Sequence, residues 1–161
     1  MENSKRLKIG LDFHGVITVD PAYFKAFTDV ASARGHQVYV ITGGPEKDVQ
    51  DFLKSWKICC YKLFTILDYY AERGMVTYYP DGTFKVDDDL WNTAKAKFCR
   101  RYQIDIHIDN SLIYGKYFTT PYCLYDPVAR SCTLKNDLVV SLALPPADAL
   151  SQIEKALDFN L

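Results

Sequence analysis

The chain has 161 residues, of which 48% are hydrophobic and 24% are charged, and its formal net charge is −1. This length and composition suit one globular domain with a real core and exclude a disordered chain. The near-neutral charge gives no electrostatic reason to expect a nucleic acid or an anionic membrane surface as a partner.

The chain begins with a strand, a helix and a second strand. An apolar run predicts the first strand over residues 7–12. Asp20 suits a helix N-cap with Pro21 at the first helical position, and Gly35 suits the end of that helix. The β-branched and aromatic stretch at 37–41 predicts the second strand. A helix between two strands indicates that the strands are parallel.

A second helix is expected to begin near Gly44 and Pro45. The chain then predicts a short strand over 58–64 and a helix over 65–73 that Gly74 ends. The apolar stripe of the second helix is expected to be buried and consists of Val49, Phe52, Leu53 and Trp56.

Residues 75–86 alternate in polarity around Pro80-Asp81-Gly82, which predicts a β-hairpin because Asp-Gly suits tight turns. We favour a hairpin that lies against the sheet. The alternative is a hairpin that projects from the domain with Tyr78 and Tyr79 and serves as a partial lid or a homodimer contact.

Three consecutive acids, Asp87 to Asp89, precede a helix that is expected to reach about residue 102. Acids at a helix N-terminus oppose the helix dipole favourably. Adjacent acids on a helix also point in different directions, so we favour capping over metal binding.

The remaining chain predicts core strands over 104–109 and 121–125, one or two edge strands within 128–144, and a closing helix over 146–157. The strand-helix pattern indicates a single α/β domain over residues 1–161. We expect a doubly wound, Rossmann-like parallel sheet in a three-layer α/β/α arrangement, with a small β-hairpin insertion.

The five cysteines are Cys59, Cys60, Cys99, Cys123 and Cys132. Residues 1–6 lack the apolar segment of a signal peptide, and no run approaches the ~20 apolar residues of a membrane span. We therefore expect a cytoplasmic protein with reduced thiols and no membrane partner.

Two carboxylates, Asp12 and Asp109, each end an apolar strand. In open α/β sheets, ligands bind at the carboxyl ends of the strands. If the two strands are neighbours, the two acids lie close together and need a cation between them. Mg²⁺ fits, because it binds through one or two carboxylates and keeps positions for water and a substrate phosphate.

Further polar groups are predicted at the same sheet edge. Lys95 lies on the helix that leads into the Asp109 strand and can serve as a counter-charge, although Lys97 on the same helix competes for this role. Thr42 and Gly43 offer a hydroxyl and backbone N–H groups at a turn before a helix, which is a ready anion site.

Taken in order, these stretches resemble the four motifs of the haloacid dehalogenase superfamily, whose commonest members are Mg²⁺-dependent phosphatases. The four matches are a strand ending in Asp12-Phe13-His14-Gly15, a strand ending in Thr42, the lysine Lys95, and Asp109 with Asn110. The resemblance covers residues 7 to about 125. It implies Mg²⁺ held by Asp12, the backbone carbonyl of His14, Asp109 and Asn110, with Thr42, Gly43 and Lys95 binding the substrate phosphate.

Two positions depart from the family pattern. His14 stands where these phosphatases usually carry a second Asp, which protonates the leaving group and then activates water. An imidazole can transfer protons near neutral pH, so His14 is a candidate for this task. Asn110 replaces an acid and is expected to weaken metal binding.

The resemblance implies a phosphomonoester hydrolase in which Asp12, His14 and Lys95 are catalytic and Asp12 forms an aspartyl-phosphate. The expected substrate is a phosphorylated small molecule or a nucleotide. The segment between Thr42 and Lys95 is too short for a large lid domain, so we expect a minimal cap and an open site. The alternative is a weak or inactive relative that binds a phosphorylated ligand or a protein partner, which the residues His14 and Asn110 motivate.

Overall fold

The structure, a computed structural model, describes residues 5–158 of the chain. In this range the strands are β1 (Lys8–Leu11), β2 (Gln37–Thr42), β3 (Lys62–Thr65), β4 (Thr77–Tyr78), β5 (Phe84–Lys85), β6 (Ile106–Asp109), β7 (Tyr122–Asp126), β8 (Ser131–Thr133) and β9 (Val139–Ser141). The helices are α1 (Pro21–Ala33), α2 (Glu46–Ser55), α3 (Ile66–Glu72), α4 (Asp88–Arg101) and α5 (Pro146–Asp158), with 3₁₀ turns at Ile17–Val19 and Tyr114–Tyr117.

Seven strands form one sheet in the order β3-β2-β1-β6-β7-β8-β9. The pairs from β3 to β7 are parallel, and β8 and β9 continue the sheet in antiparallel pairing. The chain proceeds from β1 outwards through β2 and β3, and later returns to the other side of β1 with β6. This α/β architecture is consistent with the predicted Rossmann-like fold. Its reversal of strand order lies between β1 and β6, where such sheets bind ligands.

The helix boundaries follow the capping residues in the sequence. The Asp20 carboxylate accepts a hydrogen bond from the backbone N–H of Tyr23, and Pro21 opens α1. Gly35 follows the helix with a φ of +84°, a conformation that other residues avoid. The buried face of α1, which includes Phe24 and Phe27, packs into the main core beneath the sheet.

Helix α2 buries only part of its predicted stripe. Val49 and Leu53 are buried and Phe52 is partly buried. Trp56 is 43% exposed, so the prediction that it is buried is wrong. Trp56 is the C-cap residue of α2, and its ring lies beside the partly buried Phe52 at the end of the helix, with centroids 6.4 Å apart, instead of entering the core.

The three acids before α4 serve the helix terminus. The Asp87 carboxylate accepts a hydrogen bond from the N–H of Leu90, and Asp88 pairs with Lys85. Asp88 and Asp89 lie in the first helical turn, where their charge opposes the helix dipole. The capping interpretation therefore accounts for all three acids.

The predicted hairpin is present as the two-stranded antiparallel sheet of β4 and β5. Its turn is held by Asp81, whose Oδ1 accepts hydrogen bonds from both the N–H and the hydroxyl of Thr83. Phe84 of this hairpin contacts Trp91 of α4, with ring centroids 5.7 Å apart. This contact places the hairpin beside α4, close to the carboxyl ends of the central strands.

Cys123 and Cys132 are joined in a disulfide, with their Cα atoms 5.2 Å apart. The two residues lie diagonally on the same face of the antiparallel pair of β7 and β8, which brings their side chains together. The expectation that all thiols are reduced is therefore wrong for these two. Cys59, Cys60 and Cys99 are free.

None of the helices within residues 5–158 has both the length and the apolar character that a bilayer-spanning helix requires.

Candidate active site at the carboxyl ends of β1 and β6

Asp12 and Asp109 lie side by side at the switch point of the sheet. Strands β1 and β6 are adjacent, and the N–H of Asp12 donates to the carbonyl oxygen of Ile108 at 2.9 Å. Asp12 is 5% exposed and Asp109 is fully buried. The parallel pairing thus brings together two carboxylates that are 97 residues apart in sequence.

The cation between these acids is the ammonium of Lys95. Helix α4 directs this side chain inwards, so that Nζ lies 3.0 Å from Asp12 Oδ1 and 2.8 Å from Asp109 Oδ2. Lys95 is 3% exposed. Lys97 is exposed and borders a separate groove formed by β3, α3 and α4. Of the two candidate lysines, Lys95 is therefore the one that lies in the site.

His107 belongs to the same buried cluster, although the sequence analysis did not select it. Its Nε2 lies 2.9 Å from Asp109 Oδ2, and its ring stacks on Phe118 with centroids 5.3 Å apart. The other oxygen of Asp109 accepts a hydrogen bond from the N–H of Ser111. The available signal was a histidine inside an apolar strand, two residues before Asp109 and therefore on the same face of that strand.

The surroundings shift the pKa values of the two carboxylates in opposite directions. Burial acts to raise the pKa of Asp109, but hydrogen bonds and positive charge from His107 and Lys95 outweigh it and hold that pKa well below its usual range. Burial raises the pKa of Asp12 and the charge of Asp109 adds to this effect, while Lys95 opposes it. Burial would lower the pKa of Lys95, but the two carboxylates raise it, so this side chain remains an ammonium.

Asn110 faces the other oxygen of Asp12. With its amide nitrogen on that side, Asn110 donates to Asp12 Oδ2 at 3.1 Å and to the carbonyl oxygen of His14 at 3.2 Å. With its amide oxygen on that side, three oxygen atoms would converge on one point. Gly15 makes this approach possible, because a Cβ atom there would overlap the Asn110 amide.

This convergence tests whether Mg²⁺ suits the site. The part of the chain that the structure describes contains no cluster of three or more His, Cys, Asp or Glu side chains for a metal. The available donors are one carboxylate oxygen of Asp12, the carbonyl of His14 and the amide oxygen of Asn110. Such a small set of oxygen ligands fits Mg²⁺, which retains several water or phosphate ligands. Asp109 already accepts hydrogen bonds at both oxygens.

Thr42 presents an unsatisfied hydroxyl to the same place. It ends β2, its side chain is fully buried, and its Oγ1 has no hydrogen-bond partner within residues 5–158. A buried hydroxyl without a partner is costly unless a ligand supplies one. Gly43 follows Thr42 and also borders the site.

All seven residues singled out from the sequence line one open cleft of about 320 Å³. These residues are Asp12, His14, Thr42, Gly43, Lys95, Asp109 and Asn110. His14 is exposed, and its ring contacts Phe13 edge-on with centroids 4.8 Å apart. Phe84, Trp91 and Tyr114 also line the cleft and were not predicted from the sequence. Only the folded hairpin and a 3₁₀ turn bring Phe84 and Tyr114 there, whereas Trp91 lies on α4 four residues before Lys95, a spacing that places both on one face of the helix.

Comparison of the chain with protein-family models, with curated proteins and with solved structures finds no match. The functional interpretation therefore depends on the geometry and chemistry of this cleft.

Proposed function

We propose that this protein is a phosphomonoester hydrolase that uses Asp12 as its nucleophile. The observation that supports it most strongly is the joint presence in one cleft of the Asp12 carboxylate, the Lys95 ammonium and the unpartnered Thr42 hydroxyl. We also propose that the protein is related to the haloacid dehalogenase phosphatases that it resembles. In the same proposal, residues 1–161 form a single domain with a three-layer α/β/α arrangement.

In the first step, an oxygen of Asp12 attacks phosphorus and the bond from phosphorus to the ester oxygen breaks. The products are an aspartyl-phosphate on Asp12 and an alcohol, whose oxygen receives a proton from His14. Lys95, the Thr42 hydroxyl and the Gly43 backbone lie where they can stabilise the charge on the phosphoryl oxygens. In the second step, water attacks phosphorus, gives a proton to His14 and releases inorganic phosphate with Asp12 restored.

Asp109 acts in this scheme by holding Lys95. Its Oδ2 accepts from Lys95 Nζ at 2.8 Å, while His107 and Ser111 fix the carboxylate itself. Asp12 is oriented in turn, because its Oδ1 accepts hydrogen bonds from its neighbour's backbone, Phe13 N–H, at 2.8 Å and from Lys95. The nucleophile is therefore fixed before substrate arrives, which lowers the cost of reaching the reactive geometry.

The residues that would hold Mg²⁺ are Asp12, the carbonyl of His14 and Asn110, and the resemblance adds Asp109 to this set. When bound, the ion supplies positive charge that offsets the negative charge of the phosphoryl group. Asn110 and His14 would then contribute oxygens without adding charge, so the affinity for the ion is expected to be modest.

A second candidate function is a binding module that holds a phosphorylated ligand without hydrolysing it. The observation that favours it is the number of existing contacts at Asp12, whose two oxygens face Lys95, the Phe13 N–H and the Asn110 amide. A carboxylate with so many hydrogen bonds is a weaker nucleophile. His14 also differs from the acid that the family uses at this position.

The experiment that separates these functions is phosphate release from a panel of phosphomonoesters, with and without Mg²⁺. The wild type is compared with Asp12→Asn and with Asp89→Asn, an exposed position on α4 outside the cleft. If the protein is a hydrolase, the wild type and Asp89→Asn release phosphate when Mg²⁺ is present, and Asp12→Asn does not. Full activity in folded Asp12→Asn would exclude the nucleophile, and absence of release from every ester would favour the binding module.

A further inference from the structure

Three aromatic side chains form one wall of the cleft, and we call Phe84, Trp91 and Tyr114 the aromatic wall. They come from the hairpin, from α4 and from the 3₁₀ turn after β6. The Phe84 and Trp91 rings are 5.7 Å apart, and Trp91 Nε1 donates to the Tyr114 hydroxyl at 3.0 Å. Three separate elements thus converge to build a continuous aromatic surface.

The wall lies directly beside the groups assigned to phosphate. The Tyr114 ring centroid is 5.0 Å from Lys95 Nζ, which is itself 3.0 Å from Asp12 Oδ1. Trp91 packs against the backbone of Gly43 so closely that a Cβ atom there would lie 3.0 Å from its ring. A phosphate held at Asp12 and Gly43 would therefore have its ester group next to these rings.

The chemistry of the wall favours a flat apolar group over a polyhydroxylated one. Trp91 Nε1 already donates to Tyr114, so within the wall only the Tyr114 hydroxyl remains to donate to or accept from a substrate hydroxyl. A sugar would leave most of its hydroxyls without partners on this side. Phe84 is 40% exposed and offers a ring that a planar ligand could cover.

We propose that the substrate of this site is a phosphate ester that carries a planar aromatic ring, which stacks on Phe84 and Trp91. This inference rests on the proposed phosphate chemistry at Asp12. Two sources share the chemistry: an aryl phosphate, with the ring attached to the ester oxygen, and a nucleoside monophosphate, with a sugar between ring and phosphate. Stacking on such a surface typically increases affinity by about tenfold or more for each ring.

The test measures binding apart from turnover. Trp56 is 43% exposed and lies outside the cleft, so Trp56→Phe leaves Trp91 as the single tryptophan reporter. In this background Asp12→Asn prevents turnover. Dissociation constants are measured by Trp91 fluorescence and calorimetry for phenyl phosphate, adenosine 5′-monophosphate and glycerol 3-phosphate. We expect at least one aromatic ester to bind about tenfold more tightly than glycerol 3-phosphate and to quench Trp91.

The hairpin supplies a variant and its control. Phe84→Ala should weaken binding of the aromatic ester by about fivefold or more and leave glycerol 3-phosphate unchanged. Tyr79 lies on the same hairpin, but its ring does not line the cleft. Tyr79→Ala should therefore change the affinity for neither the aromatic ester nor glycerol 3-phosphate. Similar binding by phenyl phosphate and the nucleotide assigns recognition to the ring alone, whereas tighter nucleotide binding assigns a role to the sugar.

Equal affinity for aromatic and aliphatic esters, or no effect of Phe84→Ala, would overturn the inference. The two proposals fail differently. If the wild type hydrolyses esters without preferring aromatic ones, the proposed substrate class is excluded and the phosphatase proposal is retained. If the protein binds aromatic esters selectively but the wild type releases no phosphate, aromatic recognition is retained and the phosphatase proposal is excluded.

Discussion

Lys95 Nζ lies 2.8 Å from Asp109 Oδ2, and both side chains are almost completely buried. This pair connects helix α4 to strand β6, and the same ammonium reaches Asp12 after β1. An ion pair removed from water gains little net stability, because desolvation offsets the attraction. Removing one member is costly, however, because it leaves the other charge buried alone. Burial of this cluster adds little net stability, which supports the chemical role that we propose for it.

Replacing Lys95 by Met should therefore destabilise the protein and, under the proposed function, abolish phosphate release from the ester panel. The variant leaves two neighbouring carboxylates buried without their shared cation, and we expect the free energy of unfolding to fall by about 3 kcal/mol or more. Lys97→Met on the exposed side of the same helix should change it by about 0.5 kcal/mol or less. Urea unfolding of both variants measures the difference. Equal effects of the two substitutions would contradict the role assigned to Lys95.

The sequence predicted the position of the two acids and of Lys95, but not the contact of Asp109 with His107. Apolar runs located the strands that end at Asp12 and Asp109, and the rule that parallel strands share a carboxyl edge placed the two side chains together. We expected Lys95 as a counter-charge at this edge, and in the structure its ammonium lies between the two acids. The metal ion expected beside them stays a prediction. The spacing of His107 and Asp109 places both side chains on one face of β6, but it does not show that the two would hydrogen-bond.

Other features depend on long-range packing that no local pattern encodes. The turn chemistry of Asp81-Gly82 predicted the hairpin, but not that Phe84 would contact Trp91 and border the cleft. Likewise, the spacing of Cys123 and Cys132 gave no pairing until β7 and β8 were known to be antiparallel neighbours. Sequence patterns in this chain specify elements, and the tertiary contacts between elements specify the site.

Gly15→Ala should be more damaging than the same substitution at Gly82. Both glycines have a positive φ, of 85° and 87° respectively, so both substitutions carry a backbone cost of about 1–2 kcal/mol. Only at Gly15 would the new Cβ overlap the Asn110 amide, since Gly82 has nothing within 4 Å of that position. Thermal unfolding of the two variants should show the larger loss for Gly15→Ala. A similar loss in both would show that Asn110 moves away without cost.

Glu154 should make a pH-dependent contribution to stability. Burial acts to raise its pKa, but hydrogen bonds from Arg34 and His36 outweigh it and lower the pKa below 4.5. His36 donates through Nε2, because its Nδ1 accepts from the N–H of Leu7. A carboxyl group with a lowered pKa stabilises the fold fully above its unfolded pKa, and this contribution is lost as the pH falls through the folded pKa.

The variant that measures this contribution is Glu154→Gln. Its free energy of unfolding should fall below that of the wild type by less than about 1 kcal/mol near neutral pH, because water screens this partly exposed pair. The difference should stay constant down to the ordinary pKa of 4.5 and shrink at lower pH. Urea titrations across the acid range follow it, and a gap that widens on acidification would reverse the assigned sign.

Asn110→Asp should make the stability of the protein depend on Mg²⁺. The new carboxylate would face Asp12 Oδ2 and the carbonyl oxygen of His14, where the amide nitrogen of Asn110 can donate to both. Without a cation these oxygens repel one another, so we expect a lower melting temperature than that of the wild type. Bound Mg²⁺ should reverse this loss, because a ligand that binds only the native state adds about 1.4 kcal/mol at a concentration tenfold above its Kd.

The control for this variant is Asn92→Asp, which adds the same charge on α4 outside the cleft. Thermal unfolding is measured with and without millimolar Mg²⁺. The ion should raise the melting temperature of Asn110→Asp by a large amount, and that of the wild type and of Asn92→Asp by the same small amount. This readout requires no turnover, so it tests the oxygen cluster separately from hydrolysis. If Mg²⁺ stabilises Asn110→Asp no more than Asn92→Asp, the ion does not bind between Asp12, His14 and residue 110.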